Sequence, residues 1–554
     1  DVITRHAVIR NLEDTAITLH AAHSTCLSFP TDQMDQIDFY GSWGHERNAQ
    51  RTPVRHGKTV VDSIRGISSH YYNPTIVLCD HETTETAGDC YGVALVYSGN
   101  FQITVEVNDF KQTRVVAGIH PDTFYWKLNP GETFATPEAV MSFSAAGLTG
   151  LSHHYHDVVR HFLIPRQFED QRCPVLLNNW EATMIDFDEE QLMQIASAGK
   201  ELGVEMFVMD DGWFGRRTNE FRGLGDWQCN LEKLPSGIAG FSKRIHGLGL
   251  KFGIWIEPEM ISEDSRLYEE HPDWCIAIPG RKPTRQRYQL ILDYSRDEVV
   301  EYIFDQIYNE FKDAEIDYIK WDMNRSLSED WSHALPADRE GEVQHRYVLG
   351  VYELARFLTE SFPVIFFEGC TGGGGRFDAA VLTFFPQIWT SDNTDAYDRV
   401  RIQYGTELIY PISASSNHVS LSPNIRNGRI IGADTRRNVA YFGSYGYEFD
   451  VNKVPADELE RIPADIKKYR EIEDLMQTGD LYRGKTTFDG DCNEMIQTVV
   501  SKDRRSAVAI YFQALNSLAI APRIRIPGLA DDVVYSVEEL GLTLPGIVLR
   551  NVGL

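Results

Sequence analysis

The chain has 554 residues, of which 42% are hydrophobic and 24% charged, a composition typical of a globular protein with a large core. At roughly 150 residues per domain, this length allows about three or four domains. The formal net charge of −28 argues against nucleic acid and anionic membrane surfaces as partners, because a strongly acidic protein repels phosphate groups.

The N-terminal 146 residues are predicted to form a β-sandwich domain. Short apolar runs, such as 93–97 and 101–107, are separated by Gly, Asn, Asp and Pro, as expected of strands joined by turns. Residues 147–172 are predicted to be a linker. Its histidines, His153, His154 and His156, lack cysteine or carboxylate partners at motif spacing, so we expect them to be solvated rather than bound to zinc.

Residues 173–474 are predicted to fold as a (β/α)8 barrel. Short apolar runs that end in polar residues alternate with helical patterns at 188–202, 296–311 and 346–360. The number and spacing of these units match a TIM barrel. The eight predicted strands are 175–180, 204–210, 251–257, 290–293, 316–322, 364–370, 387–392 and 408–413.

The C-terminal region 475–554 returns to short strand-like runs, such as 496–500 and 507–512, and is predicted to be an antiparallel β domain. Residues 479–486 match the phosphate-loop pattern GxxxxGK[ST], but a helical stretch precedes them instead of a strand, so we interpret the match as coincidence. The predicted fold class is α/β, a central TIM barrel between two β domains.

Carboxylates and tryptophans follow several of the predicted barrel strands. Active sites of such barrels lie at the C-terminal ends of the strands, and indoles with carboxylates suit sugar chemistry. Asp322 and Asp392 end two different strands and could be the nucleophile and the acid/base of a retaining glycosidase. Asp322 is the better nucleophile, because Lys320 and Asn324 favour its charged form.

Four barrel segments carry a resemblance to a known family. They are MDDGWF at 209–214, WIEPEM at 255–260, KWDMNR at 320–325 and WTSDNTD at 389–395. The chain resembles glycoside hydrolase family 36, the larger and usually tetrameric α-galactosidases. This resemblance implies a retaining exo-α-galactosidase that removes terminal α-D-galactosyl residues from melibiose- and raffinose-type substrates by double displacement. It also implies a homotetramer and no cofactor or metal.

The resemblance also implies roles for individual residues. Asp322 attacks the anomeric carbon and Asp392 protonates the leaving oxygen. Asp210 and Asp211 bind the C4 and C6 hydroxyls, and Lys320 binds those at C3 and C4. The remaining expected substrate-binding residues are Trp180 at the rim, Trp255 as sugar platform, Arg287, Asn324, and Cys370, Gly372 and Gly373 around the 2-hydroxyl. The N-terminal sandwich is shorter than in typical members.

Several alternatives stay open. A galactosyl transferase of the same family would use the same catalytic pair. An α-N-acetylgalactosaminidase is disfavoured by Cys370, which narrows the space at the 2-position. A sugar-binding barrel without catalysis is disfavoured because both catalytic carboxylates are present. The neighbouring Asp210 and Asp211 could instead hold a divalent cation, for which paired carboxylates are suitable ligands.

The sequence favours a cytoplasmic protein, with secretion as the alternative. The eight cysteines are sparse and form no CxxC, which disfavours a disulfide scaffold. The chain begins without Met and has no recognisable signal peptide, and its sequon 324–326 lies in the predicted catalytic centre. The mean hydropathy of −0.31 and the lack of a long apolar run predict no transmembrane helix.

Overall fold

The computed structural model describes residues 2–485, 493–515 and 523–554. It consists of an N-terminal β region, a closed parallel barrel and C-terminal antiparallel sheets. The predicted fold class is therefore confirmed. None of the described helices combines the length and the apolar character that a membrane span requires.

The N-terminal region is built on a six-stranded antiparallel sheet. The strand Phe101–Val107 of this region shows the alternation expected of a half-buried strand. Phe101, Ile103 and Val105 are buried, and the residues between them are partly exposed. The strands of the large sheet, in spatial order, are Val2–Arg5, Glu138–Ser144, Cys90–Val96, Thr75–Asp80, Met34–Ser42 and His45–Pro53.

Smaller sheets complete this region. One has three strands, and two are strand pairs. The three-stranded sheet contains Phe101–Val107, Thr113–Ile119 and His23–Phe29; the pairs are Trp126–Leu128 with Ile17–Leu19 and Thr133–Ala135 with Val8–Arg10; a further strand is Gly57–Ser63. The predicted strands 93–97 and 101–107 are thus confirmed with small shifts at their ends.

Eight parallel strands close the barrel, and the first pairs with the eighth through Leu176 and Gly446. All eight are almost entirely buried, as expected when helices cover the outside of a parallel sheet. In order, the barrel strands are Leu176–Asn178, Met206–Met209, Lys251–Ile256, Tyr318–Trp321, Phe366–Gly369, Gln387–Trp389, Ser415–Val419 and Ser444–Glu448.

Two of the predicted barrel strands are wrong. Residues 290–293 contribute Leu290–Ile291, which pairs antiparallel with Met260–Ile261 outside the barrel. The third barrel strand pairs directly with Tyr318–Trp321, which leaves no place for another strand between them. The run 408–413 follows the helix Ala396–Glu407 and enters a 3-10 turn.

The true seventh and eighth barrel strands, Ser415–Val419 and Ser444–Glu448, lack long apolar runs and were therefore missed. Their polar side chains are nevertheless buried, because they form hydrogen bonds inside the protein, such as that from Arg399 to Asn417. His418 and Glu448 illustrate this: the imidazole Nδ1 lies 3.3 Å from a Glu448 oxygen. Apolar periodicity does not detect such strands.

The helices around the barrel follow the predicted periodicity. The predictions at 188–202, 296–311 and 346–360 are confirmed by helices at Glu189–Glu201, Asp297–Phe311 and Val343–Ser361. The other α-helices are Gly147–Val158, Trp180–Thr183, Gly237–Gly247, Arg266–Glu270, Ala396–Glu407, Ala433–Ala440, Ala456–Leu459, Ile462–Thr478 and Gly546–Asn551.

The segment predicted as a linker begins with the helix Gly147–Val158 and continues as a π-helical turn. His156 is buried and contacts the Glu407 carbonyl at 2.9 Å, while His153 contacts the Leu481 carbonyl at 2.9 Å. The expectation of solvated histidines is therefore wrong for His156. The helix buries one face against the barrel and the C-terminal region, and that face carries the histidine.

The C-terminal region contains two small antiparallel sheets. The predicted runs 496–500 and 507–512 are confirmed within strands of the first sheet. Its strands are Asp480–Arg483, Glu494–Val500 and Ala507–Gln513, and the second sheet pairs Val534–Val537 with Leu542–Pro545. Thr486, the last residue of the phosphate-loop match, lies outside the described residues.

Candidate active site

A cavity of about 410 Å³ opens at the C-terminal ends of the barrel strands. This is the size of a pocket for a small ligand. All predicted site residues except Cys370 and Gly373 line it: Trp180, Asp210, Asp211, Trp255, Arg287, Lys320, Asp322, Asn324, Gly372 and Asp392. The barrel thus brings residues that span more than 200 positions of sequence into one pocket.

Asp322 directly follows the fourth barrel strand and is held by N–H donors on both carboxylate oxygens. Its Oδ1 accepts the backbone N–H of Gly372 at 3.0 Å. Its Oδ2 accepts the Asn324 amide at 2.7 Å and the Trp255 indole N–H at 3.2 Å. The carboxylate therefore has a fixed orientation in the pocket.

The electrostatic surroundings keep Asp322 ionised. Burial acts to raise its pKa, but the Lys320 ammonium, the Cys370 thiol and the Gly372 N–H outweigh burial and leave the pKa of Asp322 below its usual value. An ionised carboxylate in a pocket is the form that a nucleophile requires.

Lys320 and Asp210 form a buried ion pair at the bottom of the pocket, with Nζ 3.1 Å from Oδ2. Burial acts to lower the pKa of Lys320, but the charge of Asp210, followed by Cys370 and Glu448, raises it well above its usual value. Asp210 also accepts the Asn178 amide at 2.7 Å. The pair offers both donors and acceptors to a hydroxylated ligand.

Asp211 is oriented by a residue that the sequence analysis missed. Arg217 donates to both of its carboxylate oxygens, at 2.9 and 2.6 Å, and both side chains are buried. A two-point guanidinium contact fixes the plane of a carboxylate. Arg217 lies in the loop after the second barrel strand, six residues beyond Asp211, so its proximity in sequence was the available signal.

Asp392 lies in the loop after the sixth barrel strand, Gln387–Trp389. Its Oδ1 accepts the Trp389 indole N–H at 3.1 Å, and its Oδ2 accepts the Trp43 indole N–H at 2.9 Å. Trp43 belongs to the N-terminal β region. The chain's own N-terminal region therefore forms one wall of the pocket, where Arg65, His70 and Tyr71 also lie.

Two consecutive glycines connect the candidate nucleophile and the candidate acid/base. Gly372 donates its N–H to Asp322, and Gly373 packs so closely that a Cβ there would lie 2.6 Å from the Asp392 nitrogen. Both glycines have positive φ, at 50° and 83°. A side chain at Gly373 would displace the acid/base loop, so this close approach requires glycine.

Cys370 and Gly373 do not line the cavity. Cys370 is buried, and its thiol forms a hydrogen bond with Asp322, so it contacts the nucleophile and not the open pocket.

Glu257, which was not predicted as a site residue, is also buried behind the nucleophile and accepts the Asn324 backbone N–H at 2.6 Å. Burial and the Asp322 charge raise the pKa of Glu257 to about 8.

Three further glutamates, Glu181, Glu220 and Glu448, line the pocket and were not predicted. Glu448 ends the eighth barrel strand; burial acts to raise its pKa, but its bond to His418 and the Lys320 charge lower it. Glu181 follows Trp180, and burial together with the Glu448 charge raises its pKa to about 9. At neutral pH Glu181 therefore keeps its proton and can donate a hydrogen bond to a ligand.

The cation-site alternative for Asp210 and Asp211 finds no support in their contacts. Lys320 and Arg217 already supply the positive charges that these carboxylates need. Within the part of the chain that the structure describes, no group of three His, Cys, Asp or Glu residues is arranged to hold a metal ion.

Chelation tests this point. We expect EDTA to leave kcat/KM on an aryl α-galactoside unchanged. The reason is that Lys320 and Arg217 occupy the positions where a metal ion would bind Asp210 and Asp211. The control is the same assay after dialysis and addition of Ca²⁺ or Mg²⁺. Loss of activity with EDTA and its return with a divalent cation would restore the metal interpretation.

Comparisons with known proteins agree with this architecture. The family model described as Melibiase matches residues 133–479, and the models for the glycosyl hydrolase family 36 N-terminal and C-terminal domains match residues 1–129 and 494–554. The α-galactosidase AgaA of Geobacillus stearothermophilus is 46% identical over 98% of this chain and 74% of its own length. Mel36A, an α-galactosidase of Lactobacillus acidophilus, is 43% identical over 100% of this chain and 75% of its own length.

Solved structures give the same result. The crystal structure of AgaA superimposes with a TM-score of 0.98 at 45% identity, covering 100% of this chain and 77% of that one. A variant of AgaA in complex with raffinose matches equally well, and another is in complex with stachyose. The fold and the pocket define a barrel-type glycoside hydrolase. The chain belongs to glycoside hydrolase family 36.

Proposed function

We propose that this protein is a retaining exo-α-galactosidase that hydrolyses terminal α-D-galactosyl residues of raffinose-type oligosaccharides and other α-galactosides. The observation that carries the proposal is the paired arrangement of Asp322 and Asp392 on either side of Gly372 and Gly373 in one pocket. The relatives named α-galactosidases, with raffinose and stachyose in related crystal structures, support the choice of substrate.

The reaction proceeds in two displacements. In the first, ionised Asp322 attacks the anomeric carbon while Asp392 gives its proton to the glycosidic oxygen, so the C–O bond breaks and a covalent galactosyl-enzyme forms. In the second, Asp392 removes a proton from water, and the resulting oxygen attacks the same carbon and releases Asp322. Two inversions restore the α-configuration.

Charged side chains at the bottom of the pocket select galactose. Lys320 donates to hydroxyls at C3 and C4, while Asp210 and Asp211 accept from hydroxyls at C4 and C6. Galactose differs from glucose by its axial 4-hydroxyl, so these groups discriminate between the two sugars. A site that is built to bond a hydroxyl strongly rejects a ligand that cannot supply it. The family resemblance further supports a homotetramer.

A substrate panel tests the proposal. We expect the purified chain to hydrolyse 4-nitrophenyl α-galactoside and raffinose, with little turnover of the matched α-glucoside and α-N-acetylgalactosaminide. Asp322→Asn is the control for contaminating activity, because it preserves the size of the side chain while removing the nucleophile. Preference for the α-glucoside or the N-acetyl sugar would contradict the proposed substrate. Products larger than raffinose would indicate a transferase.

The charge of Lys320 predicts a pH effect. In Lys320→Met this positive charge is lost, while burial still acts to raise the pKa of Asp322. We therefore expect the acidic limb of the pH profile of kcat/KM to move to higher pH by about 1–3 units. The direction follows because Asp322 must be ionised to attack. Lys243→Met, an exposed lysine on the helix Gly237–Gly247, is the matched control. An unmoved limb, or one that moves to lower pH, would contradict this electrostatic role.

A further inference from the structure

A tight turn carries Arg287 into the candidate active site. The turn runs from Gln286 to Gln289 and is closed by a hydrogen bond from the Gln289 N–H to the Gln286 carbonyl at 3.0 Å. Both residues at its tip have positive φ, 51° for Arg287 and 61° for Tyr288. Two consecutive positive φ angles are typical of type I′ turns, which favour Asn and Gly, so an arginine followed by a tyrosine is strained here. Strain of this kind persists only where the surrounding structure holds the backbone.

The base of this turn is firmly held. The Arg325 guanidinium donates to the carbonyls of Thr284 and Gln289, each at 2.8 Å. The Ser326 N–H donates to the Gln286 side chain at 3.2 Å. These contacts fix the two ends of the turn, but none of them reaches its tip. The strained tip therefore needs a contact of its own.

Tyr288 supplies that contact by packing against Phe221. The two rings meet edge to face with their centres 4.2 Å apart, and Tyr288 is 62% exposed and Phe221 55% exposed. Phe221 belongs to the loop after the second barrel strand, which is anchored by an ion pair between Arg222 and Asp264 at 2.9 Å. Aromatic pairs with this geometry are stabilising beyond the area that they bury. The Phe221 ring therefore holds the tip of the turn from outside the pocket.

Two hydrogen bonds connect the tip of the turn with the nucleophile. Arg287 Nη1 donates to Asn324 Oδ1 at 2.5 Å, and Asn324 Nδ2 donates to Asp322 Oδ2 at 2.7 Å. A guanidinium has only donors, whereas an amide has an acceptor oxygen and a donor nitrogen at opposite sides. Arg287 therefore fixes the Asn324 amide with its oxygen outward and its N–H group toward Asp322. Without Arg287 the amide could turn over and bring its oxygen to the carboxylate.

We propose that Phe221 and Tyr288 are positioning residues for the nucleophile. Their ring contact holds the tip of the turn, the tip holds Arg287 on Asn324, and Asn324 gives its N–H to Asp322. Neither aromatic residue lines the cavity. This inference rests on the proposed function and adds to it two residues that act on the reaction without touching the substrate.

Three variants separate the aromatic contact from the backbone of the turn. Tyr288→Asn removes the ring and introduces a residue that accepts positive φ more easily, while Phe221→Ala removes the partner ring and leaves the turn intact. For both we expect kcat/KM on an aryl α-galactoside to fall about three- to tenfold, the scale of one aromatic pair. Tyr288→Phe keeps the ring and is the matched control, which should retain the activity of the wild-type chain.

The pH profile distinguishes positioning of the nucleophile from a general loss of structure. The Asn324 hydrogen bond is one of the contacts that lower the pKa of Asp322, and Asp322 must be ionised to attack. Weakening this bond should therefore move the acidic limb of kcat/KM to higher pH, by about half a unit in the two variants that lack a ring and not at all in Tyr288→Phe. The other titratable groups that face Asp322 are the same in all three variants: Lys320, Glu257, Cys370 and Asp392.

Combined variants test whether the effect passes through Asn324. In an Asn324→Ala background, Tyr288→Asn is expected to cause no further loss of activity, because the bond that it weakens is already absent. Unchanged kcat/KM in Tyr288→Asn and Phe221→Ala, an unmoved acidic limb, or a loss that adds fully to that of Asn324→Ala would overturn the inference. A wild-type chain that cleaves no aryl α-galactoside would instead overturn the proposed function, and this inference with it.

Discussion

Replacing Asp322 by Ala is expected to lower kcat/KM on aryl α-galactosides by at least about 10⁴-fold, the scale on which enzymes lose activity without their nucleophile. The fold should persist, because the ion pair between Lys320 and Asp210 does not involve Asp322. The measurement is steady-state kinetics, with circular dichroism and thermal unfolding of the variant as the control for folding.

Azide makes this experiment specific. In Asp322→Ala, azide can enter the space left by the carboxylate and attack the anomeric carbon from the same face. We expect activity on an aryl α-galactoside to return and the product to be β-galactosyl azide, formed by a single inversion. Turnover that remains high without azide would exclude Asp322 as the nucleophile.

Asp392→Ala should have an effect that depends on the leaving group. On raffinose we expect a loss of about 10²- to 10⁴-fold, the usual contribution of a general acid, and a much smaller loss on an aryl galactoside with an acidic phenol. The reason is that a sugar alkoxide cannot depart without a proton, whereas an acidic phenolate can.

The second displacement supplies the matching control. Because Asp322 remains in Asp392→Ala, the galactosyl-enzyme still forms. Azide can then attack it in place of water, since azide does not need the general base that this variant lacks. The expected product is α-galactosyl azide, opposite in configuration to that from Asp322→Ala. Equal losses on raffinose and on the aryl substrate, or formation of the β-azide, would contradict the acid/base role of Asp392.

The barrel could be predicted where apolar residues mark its elements. The helix Asp297–Phe311 carries buried Val299, Ile303 and Ile307 at helical spacing, and its position was predicted within one residue. The strand Ser415–Val419 was missed because its side chains are polar yet buried. Apolar patterning predicts burial in a hydrophobic environment, whereas this strand is buried in a hydrogen-bonded one.

The site residues could be predicted where they lie together in one recognisable motif at the end of a strand. Asp322, Lys320 and Asn324 lie within five positions and are together in the pocket. Arg217 was missed because its only signal is its position six residues after Asp211, and Glu448 was missed because it ends a strand that was not predicted. Trp43 could not be placed, because its partner lies 349 residues away and local patterns contain no information about packing between distant regions.

The central claim is that the chain cleaves α-galactosides with retention. Proton NMR of an aryl α-galactoside digest, recorded before mutarotation, tests it most directly, since the anomeric signals of α- and β-galactose are separate. We expect α-galactose to appear first and β-galactose to grow only at the rate of mutarotation. Initial release of β-galactose would contradict the double displacement through Asp322, and the absence of any galactose would contradict the proposed function.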